Sequence, residues 1–176
     1  MVTAAHRYAH LVTKKIPRDD RRAAYIATTT EVDRAGMLDF VRAKHRWVLA
    51  TTRADGRPQM SLVTGAVLPT GELAVATYPE RVKAGNVRRN PQVSVAVMGD
   101  EFNDAWLQID GEARVVDLPE AGDALVGYYR AISGEHPDWD EYRQAMADQG
   151  TCAIVIAPSL CRPISTGGVG SSLFED

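Results

Sequence analysis

Arg81, Lys83, Arg88 and Arg89 fall in one short stretch fenced by Pro79 and Pro91, with Glu80 the only acid inside the fence. Cations so placed suit a phosphate or another anion: arginine offers a forked contact, lysine a point charge, and a helix start adds backbone N–H groups. Pro79 favours entry into a helix and Pro91 forces an exit, so the stretch reads as one short helix. Asn86 adds neutral hydrogen bonds. At the helical period Lys83 and Asn86 lie about 60° apart, whereas Arg81 and Arg88 fall on the other side of the wheel. One regular helix cannot aim all of them at a single ligand, unless Arg81 belongs to the turn before it. The competing reading is a solvated basic helix that covers a sheet edge.

A second group lies on a strand-like run in which Gln59, Ser61, Val63 and Gly65 alternate with Met60, Leu62, Thr64 and Ala66. The first face is small and polar. A flat heterocycle could rest on it, with Gln59 and Ser61 meeting its carbonyl and N–H edges and Gly65 leaving room. By itself the run equally suits a strand facing solvent. Beside the cationic helix it becomes a shelf next to a clamp, which describes a nucleotide-like or flavin-like site. Trp106 could cover a ring from a partner subunit or fill a barrel mouth.

Other chemistry is sparse. The chain has no Gly-x-Ser-x-Gly, no P-loop, no strand-linked dinucleotide glycine motif and no metal-type histidine pair. His6 and His10 have helical spacing but no third ligand nearby, and His45 and His136 have no evident partner for acid–base work. No catalytic side chain and no metal site is assigned. Cys152 sits in an apolar strand pattern and reads as a small buried hydrophobe, with no histidine or cysteine at ligand spacing from it or from Cys161.

These residues need a scaffold. Met37, Leu38 and Val41 recur at helical spacing after a capping pair of Thr30 and Asp33. Strands are expected over 47–52, 58–68, 73–77, 92–98, 106–116 and 151–157, with Gly111 marking a bulge or bend. Helices are expected over 118–132 and 137–148. Trp139 should anchor the second of these to the barrel. The final strand is apolar nearly throughout and so should be central. Six strands, mostly meander-connected, with helices inserted late, give a mainly β architecture: a six-stranded antiparallel split β-barrel with flanking helices.

With 176 residues the chain fits one domain, divided into an N-terminal arm (1–30), a barrel domain (31–168) and a C-terminal tail (169–176). The arm is locally basic, with one helical turn expected near 21–27. The formal charge of -3 argues against nucleic acid as a partner. No run approaches the roughly 18 apolar residues of a membrane span, and the N-terminus has no apolar signal core, so a cytoplasmic setting is expected.

With those residues in hand, the chain resembles the pyridoxamine 5'-phosphate oxidase-like split-barrel superfamily, in particular its actinobacterial branch of deazaflavin (coenzyme F420)-dependent reductases. The resemblance rests on Leu49-Ala-Thr-Thr-x-x-x-Asp-Gly-Arg-Pro-Gln59, on Arg81-x-Lys-x-x-Asn-x-Arg-Arg-x-Pro91, on Gly111 after Trp106, and on the run Ile132 to Arg143 containing Gly-Glu-His-Pro-Asp-Trp. It implies a homodimer with two equivalent sites at the subunit interface. It implies that Arg81, Lys83 and Asn86 hold a phosphate, that Gln59, Ser61, Val63, Ala76 and Thr77 line a deazaflavin, and that Trp106 lies near the ring. The implied activity is hydride transfer between reduced F420 and an unsaturated small molecule. FMN in an oxidase of the same fold, or a non-catalytic flavin or haem carrier, are the alternatives. Gly85 and Leu62 depart from the pattern, standing where relatives carry a larger basic residue and a polar one.

Overall fold

The computed structural model describes residues 29–101 and 104–165. The helical turn expected near 21–27, the His6/His10 pair and the tail 169–176 lie outside the described residues. The chain runs β1 (Thr29–Thr30), α1 (Arg34–Arg42), β2 (Arg46–Thr52), β3 (Pro58–Thr64), β4 (Ala66–Val67), β5 (Leu73–Thr77), α2 (Val82–Arg89), β6 (Gln92–Met98), β7 (Leu107–Val116), α3 (Gly122–Ser133), α4 (Trp139–Asp148), β8 (Cys152–Cys161) and β9 (Ile164–Ser165). Seven strands form one antiparallel sheet in the order β3-β2-β6-β7-β8-β5-β4, and β1 pairs with β9 apart from it. The sheet curls until β3 approaches β5 without a ladder of hydrogen bonds between them. That unpaired seam is the split in the barrel.

The strand expected over 58–68 is two strands, so the sheet has seven members rather than six. The break falls at Gly65, because Trp47 occupies the space a side chain there would need. A Cβ on Gly65 would sit 1.9 Å from the Trp47 ring, whose Nε1 donates to the Lys44 carbonyl at 2.7 Å. His45 Nδ1 donates to the Gly65 carbonyl at 2.9 Å and fixes the break from the other side. The expected meander ends here: β5 leaves β3 and pairs with β8. The bulge expected at Gly111 is present as a register shift between Asp110 and Gly111, where a Cβ would meet the Ala157 carbonyl oxygen at 2.5 Å.

β8 shows why a nearly continuous apolar run means a central strand. Ile154 and Ile156 join Trp47, Leu49, Val95, Leu107 and Ile109 inside the barrel. Ala153 and Val155 face the other way and pack with Leu125, Val126 and Tyr142 under the two late helices. With both faces covered, each large aliphatic side chain contributes about 1.5–3 kcal/mol of burial.

Helix starts shift by a few residues. Asp33 caps α1 by accepting from the Gly36 N–H, while Thr30 belongs to β1. Asp138 caps α4 through the N–H groups of Asp140 and Glu141. Trp139 packs edge-on against Tyr129 of α3 and donates its indole N–H to Glu135, so it ties α4 to α3 rather than to the barrel.

Candidate functional site

Strand β5 ends at Thr77, and Tyr78 to Arg81 turn the chain into α2 at the open end of the seam. Arg81 is the N-cap of α2, with extended backbone angles (φ -67°, ψ 139°) and no side-chain cap. The requirement that Arg81 stand in the preceding turn is therefore met. Its guanidinium lies 5.8 Å from the Tyr78 ring centre. Lys83, one residue into the helix, is held below the ordinary lysine pKa by partial burial first and by the Arg81 charge second. Among the described residues neither cation has a carboxylate partner. The two stand close enough to repel, at an uncapped helix start that already carries positive potential.

Arg88 and Arg89 do other work. Arg88 donates to both oxygens of Asp117 and to the Pro79 carbonyl, which fastens α2 to the chain leaving β7. Arg89 donates to Asn86 Oδ1 at 2.6 Å. Asn86 is 2 % exposed and spends its two N–H bonds on Thr51 Oγ1 and Gln59 Oε1, each at 2.9 Å. Its role in the group is thus to pin α2 onto β2 and β3 and to fix the Gln59 carboxamide, whose Nε2 then points its donors elsewhere. Thr51 and Arg89 complete this pin. Thr51 was accessible to sequence reasoning only through its pairing with Gln59 across the hairpin.

Along β3, Gln59, Ser61 and Val63 share the face of Thr51, Leu49 and Trp47 on the paired strand. Gln59 and Ser61 are half-buried, and among the described residues the Ser61 hydroxyl has no side-chain partner. Val63 packs against the barrel core. The room expected at Gly65 is filled by Trp47, so the shelf ends at Ser61 and Val63. Across the seam Thr77 is buried at the end of β5, on the face of Val75 that looks into the barrel, next to the clamp. Ala76, expected beside it, pairs with Ala153 and packs under α3 and α4 on the opposite face, because successive side chains of a strand alternate, so it is not brought to the shelf.

Trp106 is not brought to this group within one chain. It makes an isolated bridge to Ser165 just before β7. In the β6–β7 hairpin Leu107 pairs with Val97 and Glu112 with Gln92, and Gln92 directly follows the turn out of α2. Trp106 therefore lies at the far end of the hairpin, about 20 Å along β7 from Glu112, which sits beside the exit of α2, at about 3.3 Å per residue. The residue is 40 % exposed. Among the described residues no cluster of three His, Cys, Asp or Glu side chains is set to hold a metal, and no helix is long and apolar enough to cross a membrane.

Residues 34–164 match the family described as pyridoxamine 5'-phosphate oxidase. Among solved structures, the chain is similar to the conserved hypothetical protein Rv2991 from Mycobacterium tuberculosis, at 28 % identity over 79 % of this chain and 87 % of that one, with a TM-score of 0.64. An F420 reductase superposes with a TM-score of 0.53 at 21 % identity, covering 70 % of this chain and 93 % of that one. HutZ, the heme storage protein from Vibrio cholerae, superposes at 0.58 and 21 % identity, over 76 % and 95 % of the two chains. At such identities these last two share the fold.

Proposed function

The chain belongs to the pyridoxamine 5'-phosphate oxidase family, and we propose that within it this protein is an oxidoreductase that uses coenzyme F420 to reduce an unsaturated small molecule. The observation that carries the reading is the Arg81–Lys83 pair, two cations without carboxylate partners among the described residues, whose mutual repulsion a bound phosphate would relieve. Arg81 supplies a forked contact, Lys83 a point charge and the start of α2 its N–H groups. Gln59 and Ser61, with Val63 and Thr77 beside them, line the ring portion along the seam, and Asn86 holds Gln59 in place. When bound, the reduced deazaflavin supplies a hydride. Holding donor and acceptor carbons about 3–3.5 Å apart removes much of the entropic barrier without a covalent nucleophile. The balancing proton comes from water or from Ser61. The motif Arg81-x-Lys-x-x-Asn86, which resembles that of F420-dependent reductases, supports F420 over FMN.

The working form proposed here is a cytoplasmic homodimer. Met60 and Leu62 on edge strand β3 are 72 % and 82 % exposed. Their register partners Ala50 and Val48 on β2, and Ala96 on β6 opposite Val48, continue an apolar stripe across three strands. A second copy covering that stripe would also bring in its own Trp106, which one chain leaves far from the clamp.

Titration of the purified protein with F420, FMN and haem tests the reading. F420 should bind with a change in its own fluorescence, and the Arg81→Ala/Lys83→Ala double variant should bind it at least tenfold more weakly, because each charge-assisted contact contributes about 1.5–3 kcal/mol. Unchanged affinity in the double variant removes the clamp assignment. Preferential retention of FMN, or a haem Soret band with no turnover of reduced F420 on any enone, replaces the proposed activity with one of its alternatives.

A further inference from the structure

On the other side of α2 from the shelf, a cavity of about 860 Å³ opens between α2, α3, α4 and the chain entering β8. Neither Arg81, Lys83 nor any β3 residue lines it. The volume falls within the roughly 300–1,000 Å³ of small-molecule sites. Its walls are apolar at Leu118, Leu125 and Met146 and polar at Arg88, Arg143 and Thr151.

Two features mark it as more than loose packing. Thr151 is 6 % exposed, and its hydroxyl is the one buried side-chain polar atom without a hydrogen-bond partner among the described residues. Leaving such a group unpaired costs about 1–3 kcal/mol, which a polar ligand atom would recover. The charges differ in how firmly they are held. Arg88 is committed to Asp117 and the Pro79 carbonyl, so that ion pair is neutral and serves as wall. Arg143 makes one bond, 2.8 Å to Asp123, whose side chain is 95 % exposed. A pair that exposed contributes little and is readily exchanged. The Arg143 guanidinium sits over the first turn of α3, since a Cβ on Gly122 would meet its Nη1 at 2.7 Å. The N-cap of that helix, Ala121, offers no side-chain cap. A weakly held guanidinium and a helix start without a side-chain cap therefore share one rim, with apolar walls below them.

We infer that this cavity binds a small carboxylic acid with an apolar body, an aromatic or branched aliphatic monocarboxylate. Arg143 exchanges Asp123 for the ligand carboxylate, which also accepts from the Thr151 hydroxyl. The N–H groups of Asp123 and Ala124 in the first turn of α3 add donors, that of Gly122 being taken by the Pro119 carbonyl, and the apolar body lies against Leu118, Leu125 and Met146. The site is separate from the shelf and stands whether or not F420 is the cofactor.

Calorimetric titration of the full chain with 2-naphthoate tests it. Saturable binding at one site per chain is expected, at least tenfold weaker for the neutral alcohol 2-naphthalenemethanol and for Arg143→Gln. Ala147→Trp, at the exposed rim, should abolish it, and circular dichroism checks that this variant folds. The Arg81→Ala/Lys83→Ala variant should bind 2-naphthoate as the parent does. Equal affinity for acid and alcohol, unchanged binding in Arg143→Gln, or loss of binding in the Arg81/Lys83 variant would each overturn the assignment, the last by moving the acid to the clamp.

Discussion

Replacing Asn86 by alanine tests whether α2 is held against the sheet by one buried carboxamide. Three hydrogen bonds disappear, to Thr51, Gln59 and Arg89. They are not equal. Thr51 is 2 % exposed, so its hydroxyl loses its partner where water cannot replace it, a cost of about 1–2 kcal/mol. Gln59 is half-buried and Arg89 exposed, so both regain water, and together they add about 1 kcal/mol. The expected destabilisation is about 2–3 kcal/mol, or a fall in Tm of about 5–10 °C for a chain of this size. Urea unfolding followed by circular dichroism measures it, with the slope against denaturant unchanged. Thr51→Val in the Asn86→Ala background should cost about 1 kcal/mol less than it does alone, because the two share a bond. A loss under about 0.5 kcal/mol for Asn86→Ala, or strict additivity of the pair, would refute the pin.

Four further outcomes follow from the same geometry. Gly65→Ala drives a Cβ into the Trp47 ring at 1.9 Å, so a loss of at least about 3 kcal/mol is expected in urea unfolding, with a shift in tryptophan emission. Gly85→Ala should do the opposite: no atom lies within 4 Å of a Cβ there, and a mid-helix glycine gives up about 0.5–1 kcal/mol to alanine. Lys83 has its pKa lowered in the fold, so its charge is a stability penalty at neutral pH that is relieved as pH rises through the unfolded lysine value. A bound phosphate favours the charged form, so anion affinity should fall as pH rises through the depressed pKa of the free protein, and binding in that range should take up a proton in calorimetry; a flat pH profile would remove Lys83 from the clamp. Leu62→Asp places a charge on the apolar stripe of β3 and should convert a two-chain species on gel filtration to one chain, an expectation that fails if the parent already elutes as a monomer.

What could be read from the chain alone divides along a physical line. Features set by neighbours in sequence were legible: Pro79 and Pro91 bound α2, Arg81 stands in the turn before it, Gly111 marks the bulge, and the apolar run of β8 announces two covered faces. Features set by a distant side chain were not. The strand breaks at Gly65 because an indole eighteen residues earlier needs the space, and Asn86 becomes a pin because the curl of the sheet delivers Thr51 and Gln59 beneath it. Trp106 lies between these cases. Antiparallel pairing of β6 with β7 already implies that the residue opening β7 sits at the end opposite the start of β6, hence opposite α2. Sequence reading sets Trp106 near the ring, and it is the β6–β7 pairing that separates the aromatic from the clamp within one chain; the homodimer proposed above is what would reunite them. Dimerisation and cofactor affinity are therefore coupled in this reading: Leu62→Asp should weaken F420 binding even though it touches none of Arg81, Lys83 or Gln59, and undiminished affinity in a monomeric Leu62→Asp variant would place the whole site within one chain.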